Sequence, residues 1–205
     1  MRLRHKKWTN SVLQENEDII LKKEDIAEIK STDFLEIGSG KGRFLLSLAE
    51  INKDKKLLGV EININAFASS VKNASQRKEE LKNFSFINET IDKILPLLDD
   101  ESIENIYINF PDPWPKNRQK HRRLTYPPYL KEYYRVLKKN GKIYFRTDNS
   151  SLFEDSLDYF QSVRLFDLKI ITPFLYENSS LPCTEYECKF RSMGIDINLL
   201  VAEKR

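Results

Sequence analysis

The chain has 205 residues, 40% of them hydrophobic and 32% charged, with only 6 Gly and 8 Pro, which excludes collagen, low-complexity and disordered classes and fits one domain with a small appendage. Net charge is +3, no apolar run approaches a membrane span, and the start Met1-Arg-Leu-Arg-His-Lys-Lys-Trp8 has no stretch of signal-peptide length, so a cytoplasmic protein is expected. Cys183 and Cys188 make no disulfide framework and, with His5 and His121 far away, no zinc-ligand pattern; both are read as reduced thiols, and no metal is expected.

Residues 1–30 read as a basic, amphipathic amino-terminal arm, helix-prone after Trp8, with apolar Val12, Leu13, Ile19, Ile20, Leu21 and Ile26. From Asp33 onward short apolar runs alternate with longer periodic stretches. That pattern predicts strands over 34–37, 56–61, 84–88, 105–110 and 142–147, and helices over 43–51, 64–81, 90–97 and 128–138. Pro127 and Pro128 suit the first turn of the last helix, and Asn140-Gly141 its stop. A helix over 152–163, a strand over 167–172, a proline-interrupted loop and a strand over 197–202 complete the chain. The class is α/β, a mostly parallel sheet flanked by helices, over residues 31–205.

Phe34-Leu-Glu-Ile-Gly-Ser-Gly-Lys-Gly42 is a strand running into a glycine-spaced turn and then a helix. Gly38, Gly40 and Gly42 allow positive φ and close approach of a ligand, and the helix start offers unpaired N–H groups. Glu61 ends the next strand, 19 residues after Gly42, where an acid accepts both hydroxyls of an adenosine ribose. A dinucleotide fingerprint would place its third glycine at Arg43, and Glu36 would repel a pyrophosphate but suits an ammonium. These departures favour S-adenosylmethionine over a nicotinamide dinucleotide.

Asn105-Ile-Tyr-Ile-Asn-Phe110 reads as a buried strand that ends in Pro111-Asp-Pro-Trp-Pro-Lys116, a stiff loop offering one carboxylate and one indole to a flat base. Its tail, with Lys116, Arg118, Lys120, His121, Arg122 and Arg123, has no acid. Residues 1–7 and 116–123 together hold nine positive charges and no negative one, which leaves the other 190 residues six negative overall. A basic footprint on an acidic body suits capture of a polyanion.

These segments, with His121-Arg-Arg-Leu-Thr125, Arg146-Thr-Asp-Asn149 and Thr184-Glu-Tyr-Glu187, resemble the bacterial tRNA (guanine-N7-)-methyltransferase family across nearly the whole chain. The resemblance implies a Rossmann-like class I methyltransferase fold and tRNA as substrate, modified at the variable-loop guanosine, position 46 in tRNA numbering. It implies cofactor contacts at Glu36, Glu61 and Asp112, with Asp112 also catalytic. Thr90 falls where the family carries an acid or amide on the adenine. Lys116, Asp148, Thr184, Glu185, Tyr186 and Glu187 fall on substrate-binding positions, and Arg118, Lys120, His121, Arg122 and Arg123 on the RNA-contacting loop. A methyltransferase acting on base amino groups and a noncatalytic RNA-binding module are the alternative readings; one residue too many between Pro111 and Pro113 disfavours the first, and the intact glycine loop the second.

Overall fold

The computed structural model describes residues 8–173 and 181–205, which fall into two compact units divided between Asp99 and Asp100. The basic start at 1–7 and part of the expected proline-interrupted loop, 174–180, lie outside the described residues. Among those residues there are seven strands, three in the first unit and four in the second.

The first unit contains β1 (Phe34–Ile37), β2 (Leu57–Val60) and β3 (Phe84–Ile87), all parallel, with Phe34 opposite Leu57 and Leu57 opposite Phe84. Every residue of β1 and β2 is buried, as expected of short continuous apolar runs covered on both faces. The connections are α3 (Arg43–Ile51), whose N-cap is Gly42 in the left-handed region, and α4 (Ile64–Ser75), capped by the Asn63 side chain on the N–H groups of Asn65 and Ala66. Sequence reading carried α4 to residue 81. It stops at Ser75 because Gln76-Arg-Lys-Glu-Glu80 has no apolar side chain to bury, and helix without a packed face is marginal. Phe86, fully buried, closes off the N-cap of α3 and the middle of β2: a Cβ on Gly42 would stand 2.7 Å from its Cζ, and one on Gly59 2.7 Å from its Cδ1.

The described part of the expected arm, residues 8–30, packs within this unit. It forms α1 (Trp8–Gln14), lying against α4, and α2 (Ile26–Lys30), and it buries Thr9, Ile19 and Ile29. Leu21 N–H donates to Phe86 O at 2.8 Å, adding one parallel bridge at Ile20 along β3. After β3 come α5 (Ile91–Ile94) and a 3-10 turn, Leu95–Leu97.

The second unit contains β4 (Ile103–Asn109), β5 (Leu137–Thr147), β6 (Phe166–Ile171) and β7 (Asn198–Lys204), in the order β4-β5-β7-β6. β4 and β5 are parallel, and β7 runs antiparallel to both of its neighbours. Its helices are α6 (Pro127–Val136), α7 (Ser150–Val163) and α8 (Glu185–Ser192), with prolines in the first turn of α6 as the sequence predicts. The expected continuation of α6 to 138 is corrected. Leu137 already pairs with Ile103, and the ladder resumes only at Asn105 and Lys142, so Asn140-Gly141 forms an irregularity inside β5 rather than a helix stop. A side chain on Gly141 would meet Lys138 O at 2.8 Å, which is why glycine sits there.

Candidate active site

In the first unit β1 delivers the chain into Gly38-Ser-Gly-Lys-Gly42, and all three glycines have positive φ. They differ in what surrounds them. A Cβ on Gly38 or Gly40 would meet nothing within 4 Å, so both face open space, whereas Gly42 is closed off by Phe86 and Ser70. The identity of the third glycine is therefore set by packing as well as by its positive φ. Ser39 is buried, and its hydroxyl finds no hydrogen-bond partner among the described residues. An open glycine cradle with a buried, unpartnered hydroxyl fits a ligand rich in polar groups.

Glu61, just past β2, is buried and holds this loop: its Oε2 accepts the Gly40 N–H at 2.9 Å and its Oε1 the Asn63 N–H at 2.7 Å. A carboxylate has roughly four lone-pair sites, so about two remain open to further donors. Glu36, at the end of β1, is 2% exposed. Asn88, after β3, donates to Glu61 O at 2.6 Å. Thr90 is the half-buried N-cap of α5 and makes no side-chain cap bond; its N–H is taken by Glu89 Oε1. That bond, with the neighbouring ammonium of Lys93, holds the Glu89 carboxyl below its usual range. Glu89, next to Thr90 in the chain, is thereby engaged in this turn.

In the second unit Asp112 and Lys116 are exposed and Asp148, after β5, is half-buried. The loop between β4 and the basic segment is bounded by two non-glycine residues with positive φ, Phe110 at 50° and Trp114 at 41°. Backbone in that region costs on the order of 1–3 kcal/mol per residue and persists only when surrounding groups fix it.

The basic segment, a 3-10 turn over Asn117–Arg122, divides in two. Arg118, His121 and Arg122 are exposed, with the Arg122 guanidinium 4.9 Å from the Trp114 ring centroid. Arg123 is 2% exposed: Nη1 donates to Asp155 Oδ2 at 2.5 Å, Nε to Pro113 O at 2.9 Å and Nη2 to Trp114 O at 3.4 Å. Lys120 shares Asp155 at 3.0 Å. Expected among the RNA-facing cations, Arg123 presents its charge inward. Asp155, on α7, carried no sequence signal as a partner 32 residues away.

Thr184 to Glu187 form the N-terminal turn of α8 as a capping box: Thr184 Oγ1 accepts the Glu187 N–H at 2.9 Å and Glu187 Oε2 accepts the Thr184 N–H at 3.4 Å. Glu187 is 0% exposed and pairs with Arg146 of β5, also 0% exposed, at 2.8 Å and with Arg191 at 2.7 Å. Arg146 further donates to Asn109 Oδ1 and Pro182 O, tying the end of β4 to the entry of α8. The Thr-x-x-Glu spacing could have announced the cap; nothing local announces a buried arginine partner. Glu185 is exposed, and Tyr186, 59% exposed, lies 6.0 Å from both the Phe110 and Phe190 rings. Cys183 and Cys188, read as separate thiols, are joined as a disulfide with Cα atoms 6.5 Å apart. They occupy the residue before the cap and the fourth helical position, two places that face each other across a capped turn although five residues apart in sequence.

Among the described residues no group of acids, histidines and cysteines could hold a metal ion, and no helix is long and apolar enough to cross a membrane.

A protein-family model described as "Putative methyltransferase" matches residues 30–200. The chain is 34% identical over 215 residues to a tRNA (guanine-N(7)-)-methyltransferase of Clostridium botulinum (strain Hall), covering 98% of this chain and 99% of that one. It is 36% identical over 207 residues to a tRNA (guanine-N(7)-)-methyltransferase of Bacillus subtilis (strain 168), covering 95% and 94%. Among solved structures, an antibiotic-related methyltransferase shares the fold at TM-score 0.59 and 17% identity, covering 89% of this chain and 94% of that one. So does a tRNA (m1A58) methyltransferase from Aquifex aeolicus, at TM-score 0.57 and 15% identity, covering 100% and 71%.

Proposed function

The chain belongs to the tRNA (guanine-N(7)-)-methyltransferase family, and on that premise we propose that it methylates N7 of the variable-loop guanosine of tRNA, position 46, with Asp112 at the reacting centre. It is an S-adenosylmethionine-dependent methyltransferase with an α/β, mostly parallel sheet. When bound, that donor supplies an electrophilic methyl carried on a sulfonium.

The observation that carries the cofactor assignment is the loop of Gly38 and Gly40, open where side chains would stand, with the buried Ser39 hydroxyl in it and Glu61 pinning its backbone. Glu36 faces the donor's ammonium in this reading, Glu61 its ribose and Thr90 its adenine, while Gly42 sets the helix start beside them.

Guanine N7 brings its own lone pair and no proton, so the protein needs no general base at that atom. Its task is alignment, which is worth roughly 7–11 kcal/mol when reacting atoms are held in line. The base becomes cationic as it is methylated, and the carboxylates of Asp112 and Asp148 stabilise that charge as it develops. Glu185 offers an acceptor to the N1–H and N2–H edge that distinguishes guanine from adenine, the exposed face of Tyr186 offers a stacking surface, and Thr184 and Glu187 shape the turn that carries both. Lys116, Arg118, Lys120, His121, Arg122 and Arg123 form the basic segment beside the loop, and its exposed cations engage the phosphate backbone. Work on tRNA sets its place in the cytoplasm.

Labelled methyl transfer from S-adenosylmethionine to unmodified tRNA, followed by digestion to nucleosides, tests the reading. N7-methylguanosine is the expected product. A methylated exocyclic amine instead would support the base-amino alternative, and failure to bind the donor in calorimetry the noncatalytic one.

A further inference from the structure

Arg123 sits in the most basic stretch of the described chain yet shows solvent almost nothing. Its fork is divided between a carboxylate on α7, Asp155, and two carbonyls of the proline loop, Pro113 O and Trp114 O. Those carbonyls lie immediately after Asp112, at the end of the loop where Trp114 adopts its positive φ. Lys120 and the Tyr159 hydroxyl complete the surroundings of the pair, and Arg122 stacks on the same Trp114. The guanidinium of Arg123 holds the Asp155 carboxyl below its usual range, as expected of an acid engaged in the folded state.

We propose that Asp155 and Arg123 are positioning residues: the carboxylate on α7 fixes the guanidinium, and the guanidinium fixes the strained Pro113-Trp114 backbone so that Asp112 and the Trp114 indole are presented in one orientation. The inference rests on the assignment of Asp112 to the reacting centre. It deepens that assignment with a residue, Asp155, that touches neither base nor cofactor, and it moves Arg123 from the RNA surface to the loop's support.

The two roles for Arg123 differ in measurable sign. If Arg123 were a phosphate contact, Arg123→Lys would keep most of the tRNA affinity, and Asp155→Ala, which removes a negative charge beside Lys120, would tighten RNA binding without harming turnover. If the pair positions the loop, both variants lose kcat because lysine lacks the fork, and tRNA affinity barely moves.

The test uses the full chain with Asp155→Ala, Asp155→Asn, Arg123→Ala, Arg123→Lys and the double alanine variant, with Glu154→Ala as a charge control on the exposed face of α7. Single-turnover kcat, tRNA Kd at several salt concentrations and Trp114 emission in a Trp8→Phe background are read on each, with circular dichroism confirming the fold. A misplacement of about 1 Å costs on the order of 100-fold, so kcat is expected to fall tenfold or more in all variants of the pair. The double variant should be no worse than either single one, Kd should stay within about twofold with an unchanged salt slope, Trp114 emission should shift, and Glu154→Ala should match the parent. Unchanged kcat and emission in Asp155→Ala, or a loss in Arg123→Ala confined to tRNA Kd with a shallower salt slope, overturns the proposal. A parent that makes no N7-methylguanosine refutes the methyltransferase assignment instead, and Trp114 emission then still decides whether the pair holds the loop.

Discussion

The exposed cations of the 116–123 segment are Lys116, Arg118 and Arg122; Lys120 is shared with Asp155, and Arg123 is buried. Converting these three exposed residues to alanine removes the charges free to displace counterions from tRNA. Each phosphate-engaging charge contributes about 0.9 to the slope of log K against log salt, so the triple variant is expected to be shallower by about 2.7. Between about 50 and 200 mM salt the parent then loses about fortyfold more affinity than the variant does. Filter binding of unmodified tRNA at four salt concentrations measures both slopes. A difference below about one in slope would refute the assignment of these side chains to the phosphate backbone. So would an Arg123→Ala variant that flattens the slope as much as Arg118→Ala, because a buried guanidinium held by Asp155 has no counterion to release.

Asp112→Ala is expected to abolish methyl transfer while leaving urea stability within about 0.5 kcal/mol, since the side chain is exposed; near-normal turnover would remove Asp112 from the chemistry. Glu187→Ala leaves the buried Arg146 without its carboxylate and should cost about 3–5 kcal/mol in urea denaturation, far more than truncating the exposed Glu185 on the same turn. Gly59→Ala drives a methyl to 2.7 Å from the Phe86 ring and 3.0 Å from Leu45, so it should destabilise by about 1–3 kcal/mol through overpacking, seen as a lowered Tm. Because the Asp155 carboxyl lies below its ordinary 3.8 in the folded state, its stabilising contribution is complete above that pH and fades as pH falls through the lower folded value; Asp155→Asn should flatten the acid limb of a stability-against-pH curve there.

What could be read in the sequence was what chain order encodes. The apolar runs at Phe34–Ile37 and Leu57–Val60 and the glycines between strand and helix announced a parallel sheet with a ligand loop, because periodicity and glycine spacing are local properties. The Thr184-x-x-Glu187 spacing is local in the same way, yet the segment reads as loop in the sequence and is the helix α8 in the structure. Tertiary meaning was hidden. Glu187 looked like an acid available to a base and is closed inside a network with Arg146 and Arg191, and Arg123 looked like one cation among five and is the one turned inward. In both cases the deciding partner lies more than thirty residues away, on a different element. The end of α6 was misplaced because Leu137 gains a ladder partner in Ile103, a contact that helix propensity does not register.

The Phe86 ring fills the space that a side chain at residue 42, at the start of α3, or at residue 59, inside β2, would need. The three sites therefore cannot drift independently. As long as an aromatic ring occupies position 86, alanine is barred from both glycine sites by sterics; once the ring gives way to a smaller side chain, position 59 becomes permissive, while position 42 stays restricted by its positive φ. Among homologues this imposes an order on substitution, ring first and glycine second. The glycine inside β2, at position 59, is then retained for the history of a phenylalanine on the neighbouring strand.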